Sequence, residues 1–560
     1  MKELFGKDIE IESYDHGKAT FVAAVCKKLN VPDIINHHLS KSNGRKPDIS
    51  YGIMSQMLIS NLCYARRPLY LLDEYFERFD IKGVFGIDAR LEQLNDDRFG
   101  NLLDKFYEAG PRKIFSEISI SAFSTYGLSI KNVNYDTTSK VMWGEYETTE
   151  GKSGAISIDF GHSKDKRNDK KQIKMGIGTA NGIVVDAKVL DGNTDDRTYN
   201  GETLDEVHEL LERTHTDTST FYYIADSALF SEENLIKAKG NGIKVITRLP
   251  ETTNMAKEFI KKSLKERTLA KTVVFENAQG KKVEYYVSDY QSEYKGIPLR
   301  LAACYSVSLE GTKQRTITKQ ALKEEKELEK SIKQLGKRIF ACEADARKEI
   351  DLFHKNKGKK LKYHTVTFDI ESQEKRKVGR PSKDQAVNEY NYTIDAEISR
   401  ESDRIQDIIE EDCTFVVVSN DTNISAEDML KEYKTQSSVE KKFHQLKSPS
   451  FINSLFVKTP ERVEALTYMF LIGLMILSVV EHVVRRDLKR EGGNVVGPGK
   501  IKMTSPSLKA ILGIFDYVPV MAIRELDKCR RQLQKPMNNS QLKILSFLGL
   551  DEGIFIGSVL

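Results

Sequence analysis

From Lys131 to Leu249, short β-branched and aromatic runs succeed one another, and no other pattern limits the fold as much. NVNYDTTSKV, GAISIDFG, IKMGIGTA and GIVVDAKVL come first, separated by turn signals such as Asn181-Gly182. A helix pattern over residues 200–213, the run STFYYIADS, the helix pattern EENLIKAKG and the run GIKVITRL follow. Neighbouring strands and then alternating helices and strands predict an α/β fold, a mixed sheet with helices packed on it. After Leu249 the regularity breaks, and it returns only at Cys413 with CTFVVVSND.

The chain has 560 residues, too many for one core, because single cores stop growing near ~250–300 residues. Residues 1–128 read as helical, including ISYGIMSQMLISNLCYA and DDRFGNLLDKFYEAG, where Asp96 or Asp97 could cap the second. Strand-like pieces after residue 250 (TVVFENA, KVEYYVSDY, PLRLAACYSV) lead into a long charged helix pattern and then the basic tract KRKVGRPSK. Residues 311–383 hold 21 Lys and Arg against 11 Asp and Glu, a net of +10, so the rest of a chain with overall charge +4 carries −6. The run ALTYMFLIGLMILSVV (465–480) is shorter than the ~20 apolar residues of a spanning helix and reads as a buried core helix, with no membrane partner. MKELFGKDIEIESYDHGK has no apolar signal region, and six scattered cysteines without a C-x-x-C pair point to a reducing compartment.

Three acids stand where chemistry would want them. Asp136 lies within NVNYDTTS on the face opposite Val133 and Tyr135, where a carboxylate is costly unless paired or bound to a cation. Asp226 closes FYYIAD, and ligand sites of open α/β sheets lie at such strand ends. Glu440 follows CTFVVVSND on a helix that Ser425 can cap. At ~100° per residue, Tyr433, Gln436, Glu440 and Lys447 fall in one stripe about 60° wide, an acid flanked by a phenol, an amide and an amine. Three carboxylates converging on one sheet edge would bind two Mg²⁺ ions for phosphoryl transfer, with tyrosine and lysine gripping the adjoining phosphates. Asp159, Asp186, Asp191, Asp195 and Asp196 also lie in or beside strands; the last two read as loop or cap residues.

With these residues in view, the sequence resembles an insertion-sequence transposase of the DDE type. It is similar to the cut-and-paste branch whose third acid lies in Tyr-x2-Arg-x3-Glu-x6-Lys, here Tyr433, Gln436, Glu440 and Lys447, with Gln in place of Arg. YDTTS, IADSALFSEENL, GHSKDKRNDKKQ and LFVKTPERVEAL resemble stretches of the same branch. The resemblance implies an RNase H-like mixed sheet flanked by helices, interrupted by a large insertion domain, with helical N- and C-terminal regions. It divides the chain into a DNA-end-binding or oligomerisation region (1–128), a first core part (129–250), an insertion domain (251–412), a second core part (413–490) and a C-terminal helical region (491–560). The insert accounts for the separation of Glu440 from Asp226 along the chain, more than twice that of Asp226 from Asp136.

Implied too are catalysis and metal binding by Asp136, Asp226 and Glu440 with two Mg²⁺ (Mn²⁺ substituting), and double-stranded DNA partners, terminal inverted repeats and target. A homodimer in a paired-end complex and a cytoplasmic, nucleoid-associated location belong to the same expectation. Tyr433, Gln436, Lys447 and Lys164, with Lys375, Arg376, Lys377 and Arg380 of the basic tract, are the candidate DNA contacts. The tract also reads as a solvated linker, and Trp143, the only tryptophan, reads as core. The alternatives are a catalytically silent DNA-binding descendant and a stand-alone RNase H-like nuclease.

Overall fold

The computed structural model describes residues 9–39, 47–144, 146, 154–276, 282–375, 389–447, 457–525 and 528–557. Strand β1 (Ile9–Asp15) stands apart near the N-terminus. All but one of the β-branched runs then become β2 (Asn132–Val141), β3 (Gln172–Ala180), β4 (Ile183–Leu190), β5 (Tyr222–Ala225) and β6 (Lys244–Arg248), whereas GAISIDFG, expected as a strand, contributes only an isolated bridge from Asp159 to Gln172. Asn181 and Gly182 join β3 to β4 with φ of 53° and 76°, the paired positive values a two-residue hairpin turn requires. Beyond them lie β7 (Lys271–Glu276), β8 (Lys282–Tyr294), β9 (Ile297–Ser306), β10 (His364–Glu374), β11 (Tyr390–Arg400) and β12 (Thr414–Ser419).

Nine of these strands form one mixed sheet in the order β4-β3-β2-β5-β6-β12-β9-β8-β7. β2, β3 and β4 are antiparallel neighbours, whereas β2, β5 and β6 run parallel. Three meandering strands followed by two parallel ones on the other side of the first is the RNase H-like arrangement, with helices over the sheet. The strands after residue 250, expected within a separate insertion, instead extend this sheet: β12 pairs with β6 on one side and with β9 along six residues on the other. An open strand edge offers unpaired amides and carbonyls, and β9 satisfies them. β10 and β11 form their own antiparallel hairpin. Helices Glu310–Leu335 and Glu343–Asn356 brace it through Leu335, Phe340, Ala346 and Ile394.

The terminal regions are largely helical and add two small sheets that periodicity did not disclose: β1 pairs with Pro519–Glu525, which pairs with Lys528–Leu533, and Val495–Val496 pairs with Lys502–Met503. Ser50 caps helix Tyr51–Cys63 by accepting from Ile53 N. Asn95, not Asp96 or Asp97, caps helix Asp96–Glu108, because its extended backbone aims Oδ1 at Arg98 N, 3.0 Å away. The two aspartates occupy the first turn, where the helix dipole favours negative charge.

Helix Pro460–Glu491 is the centre of the packing. Every residue from Ala465 to Glu481 is buried, against helices Tyr51–Cys63, Asp96–Glu108 and Pro111–Tyr126 and strand β4. It is long and apolar enough to cross a membrane, yet 94% of its most apolar window lies inside the protein. Its buried hydroxyls are all occupied: Thr467 Oγ1 donates to Val463 O, Ser478 Oγ to Met475 O. Ser478 Oγ and Tyr468 OH also accept from Val184 N and Val189 N, amides on the open edge of β4.

Glu464 begins this packed surface, and burial pushes its carboxyl up to about 7, with Asp191 and Glu461 adding to the rise. A folded-state pKa raised above the unfolded value gives stability that is complete at low pH and lost as pH rises through about 7. Thermal melts of Glu464→Gln should therefore match the parent near pH 4.5 and exceed it at pH 8. A gap that stays constant across that range would show that Glu464 does not titrate in the fold.

Candidate active site

Parallel register sets two of the acids side by side. β2 pairs with β5 through Tyr135↔Ala225, so Asp136 and Asp226 are the next residue on each strand, at the carboxyl end of β5. Asp136 Oδ1 accepts from Thr137 N at 2.7 Å and from Lys164 Nζ at 3.0 Å. Asp226 caps the short turn Ser227–Leu229 by accepting from Ala228 N, and Thr247 Oγ1 donates to its carbonyl. Burial raises both carboxyls; Lys164 opposes the rise at Asp136, and the charge of Asp136 adds to it at Asp226.

A third aspartate completes the cluster. Asp195 is the N-cap of helix Asp196–Arg213, and Asp196, its first residue, turns inward to accept from Thr137 Oγ1 at 2.5 Å. Lys164 Nζ lies 3.3 Å from Asp196 and donates to Thr137 O at 2.7 Å; buried Lys174 lies 3.7 Å away. Burial would raise Asp196, but Lys164, the Thr137 hydroxyl and Lys174 outweigh it and hold the carboxyl below its ordinary value. An ammonium thus sits between Asp136 and Asp196, and Lys164, expected at phosphate, belongs to the carboxylate cluster. Asp196, read as a loop or cap residue, could be found only through Thr137 and Lys164, since an Asp-Asp pair does not show which carboxylate caps.

The glutamate segment departs from the expected single helix. Ser425 caps Ala426–Lys434 as anticipated, but the helix stops there, and a second runs from Ser437 to Lys447. At the break the Thr435 hydroxyl lies within hydrogen-bond distance of both Glu432 O (2.6 Å) and Asn134 Oδ1 of β2 (2.9 Å). Asn132 also donates to Glu432, and Ser438 hydrogen-bonds Thr179 of β3. Tyr433 therefore lies on the first helix, Gln436 in the turn, and Glu440 and Lys447 on the second. The expected stripe is thus divided between two helices, joined by a turn that side chains on two strands tie down.

Tyr433 nonetheless links the acids. Its hydroxyl is pushed up to about 12 by burial; Arg248 opposes this, while Asp226, Glu440 and Asp136 all add to it. Glu440 is exposed, and among the described residues no three His, Cys, Asp or Glu stand close enough to hold one ion together. The neighbouring Asp136 and Asp226 carboxylates, hard oxygen donors next to a lysine ammonium, fit a divalent cation.

Two ion pairs fix the second helix. Lys447 Nζ lies 2.7 Å from Asp165, in the loop that carries Lys164. Lys442 lies 2.9 Å from Glu481 of the central helix, with side chains only 6% and 10% exposed. Glu481 also accepts from Leu508 N and pairs with Arg485. Lys375 follows β10 directly and pairs with Glu389 at 2.9 Å, on the separate hairpin. Arg376, Lys377 and Arg380 lie outside the described residues. Trp143, expected in the core, is 69% exposed, because β2 ends at Val141 and leaves it on a loop.

A family model described as Transposase DDE domain matches residues 146–476, which include Asp226 and Glu440, and one described as Domain of unknown function (DUF4277) matches residues 9–120. None of the curated proteins matches the chain. Among solved structures, the chain is similar to a piggyBac transposase synaptic complex with hairpin DNA, at 10% identity and a TM-score of 0.34 over 85% of this chain and 75% of that one. It is also similar to a Mos1 transposase paired-end complex with left transposon end, at 13% identity and a TM-score of 0.15 over 37% of this chain and 60% of that one.

Removing one partner of a buried pair strands the other charge, at a cost of about 3–5 kcal/mol, whereas replacing both with apolar residues is often neutral. Glu481→Leu should accordingly destabilise the protein by roughly that amount, and Lys442→Met with Glu481→Leu should recover most of it. Denaturant titration decides it. A double variant no better than the single one would mean that Glu481 acts through Leu508 N and Arg485 instead.

Proposed function

The chain belongs to the Transposase DDE domain family, whose model matches more than half of it, and from that premise we propose that it is the transposase of an insertion sequence. It binds the terminal inverted repeats of its element, cleaves there, and joins the freed 3′-hydroxyl to target DNA. Its branch is the cut-and-paste one with the Tyr-x2-Arg-x3-Glu-x6-Lys signature, Gln436 standing in for Arg. The observation that carries this reading is the pair Asp136 and Asp226, one residue beyond the last paired positions of parallel neighbours β2 and β5.

Asp136, Asp226 and Glu440 would hold the Mg²⁺ ions. When bound, such ions activate the attacking oxygen and neutralise the leaving one. Tyr433, Gln436 and Lys447 hold the phosphates beside the scissile bond, and Lys164 opposes the rise that burial imposes on Asp136. Lys375, Arg376, Lys377 and Arg380 contact the DNA backbone farther out. Two copies act together on paired ends, at the nucleoid of the cytoplasm. The silent-descendant reading draws on the exposed position of Glu440, and the same experiment separates the two.

Asp136→Ala, Asp226→Ala and Glu440→Ala should each abolish Mg²⁺-dependent nicking of inverted-repeat duplexes while end binding stays largely intact. A variant that still cuts at near-parental rate removes its residue from the assignment, and a parent that binds ends without cutting them is the silent descendant. Neutralising Lys375, Arg376, Lys377 and Arg380 together should flatten the log–log salt dependence of end binding by ~0.9 for each duplex phosphate left unneutralised. An unchanged slope would make the tract a solvated linker.

A further inference from the structure

The loop that supplies Lys164 continues away from the aspartates and ends at an exposed indole. Lys164 N donates to Ser139 Oγ and Lys164 Nζ to Asp136, whereas farther along Arg167 and Lys170 sit over the Trp143 ring, 5.5 and 5.1 Å from its centroid. Met142 N donates to Lys171 O, so the loop's end is held against the end of β2. Residues 161–171 hold five basic side chains and two acidic ones, Asp165 and Asp169. Asp165 is engaged by Lys447, and Asp169 by Arg167. Phe160, 52% exposed, lies on the same rim, its neighbour Asp159 bridged to Gln172.

An indole 69% exposed beside a row of cations gains nothing from burial. It matches the pairing of aromatic platform and basic track by which proteins bind single-stranded nucleic acid, where any base can stack on the ring. A duplex hides its base faces, so the ring selects unpaired nucleotides. Trp143 follows Asp136 by seven residues, roughly 20 Å of extended strand.

We infer that Trp143, with Arg167 and Lys170, binds an unpaired stretch of the DNA strand leading away from the cleavage site, stacking a base on the indole. The inference rests on the transposase reading, and it adds a positioning role that the acids do not supply. Trp143 secures the strand and takes no part in the chemistry.

The protein holds a single tryptophan, so its emission reports this position alone. The full chain, in EDTA so that no cutting occurs, is titrated with a mixed-sequence single-stranded oligonucleotide, an inverted-repeat duplex with a 3′ overhang, and the same duplex blunt. Quenching by the first two and not by saturating blunt duplex is the expected result. No quenching by any DNA, or equal quenching by the blunt duplex, overturns the proposal. In filter binding, Trp143→Ala should weaken overhang binding about 5- to 150-fold, the range for removal of one base stack. Trp143→Phe should keep most of it, and neither should change blunt-duplex binding. An alanine variant that binds overhang like the parent also overturns the proposal. Because quenching is read without metal, Asp136→Ala should quench as the parent does: failure of the catalytic reading leaves this result standing, and failure of quenching leaves the acids untouched.

Discussion

Burial of helix Pro460–Glu491 is the constraint on which the rest of the molecule depends. Thirty-two residues of helix span ~48 Å, long enough to touch the N-terminal helices, the open edge of β4 and the C-terminal segment at once. Its apolar stretch has nowhere else to go, so the elements that cover it must assemble for the chain to fold. Ser478 and Tyr468 show how closely it is fitted, because they satisfy β4 amides that an edge strand would leave bare.

That same helix reaches the candidate site through Glu481. Lys442 is taken out of water to meet it, which fixes the helix carrying Glu440, while Thr435 and Ser438 pin the preceding turn to β2 and β3. With the Lys447–Asp165 pair, the helix carrying the glutamate is therefore held by four separate anchors, none of them an acid of the site. The aspartates are held differently, by strand register and by hydrogen bonds from Thr137 N, Lys164 and Ala228 N, with Asp196 and Lys164 brought in by a helix start and a loop. The site joins pieces that lie far apart in the sequence, and its electrostatics follow from that: Asp136 and Asp226 are raised by burial, whereas Asp196 is lowered by the Lys164 ammonium and its other partners.

Much of this was legible from residue order. β-branched runs set the strands, Asn181-Gly182 set the hairpin, Ser425 set a helix start, and the uninterrupted apolar run before Glu481 set a buried helix. Each is a local property, in which a side chain or short pattern biases its own backbone. Asp136 and Asp226 also stood out locally, as carboxylates on strands where charge is expensive.

Other features depend on partners that sequence order does not reveal. Periodicity runs unbroken through Lys434, Thr435 and Gln436, and the break falls where Glu432, Thr435 and Ser438 meet Asn132, Asn134 and Thr179, residues far away in the sequence. β7 to β9 read as strands, but whether they closed on themselves or extended the core depended on the open edge of β12. Asp195 and Asp196 are indistinguishable in the sequence, and Thr137 and Lys164 decide which one faces the site. Trp143 carries the largest of apolar side chains and was expected inside, yet β2 ends just before it. Sequence alone determined most of the elements and singled out the strand acids as candidates, because propensity and burial cost are written residue by residue. Tertiary structure decided the break, the sheet's extent, the third aspartate and the exposed indole, because those follow from contacts between residues that only folding brings together.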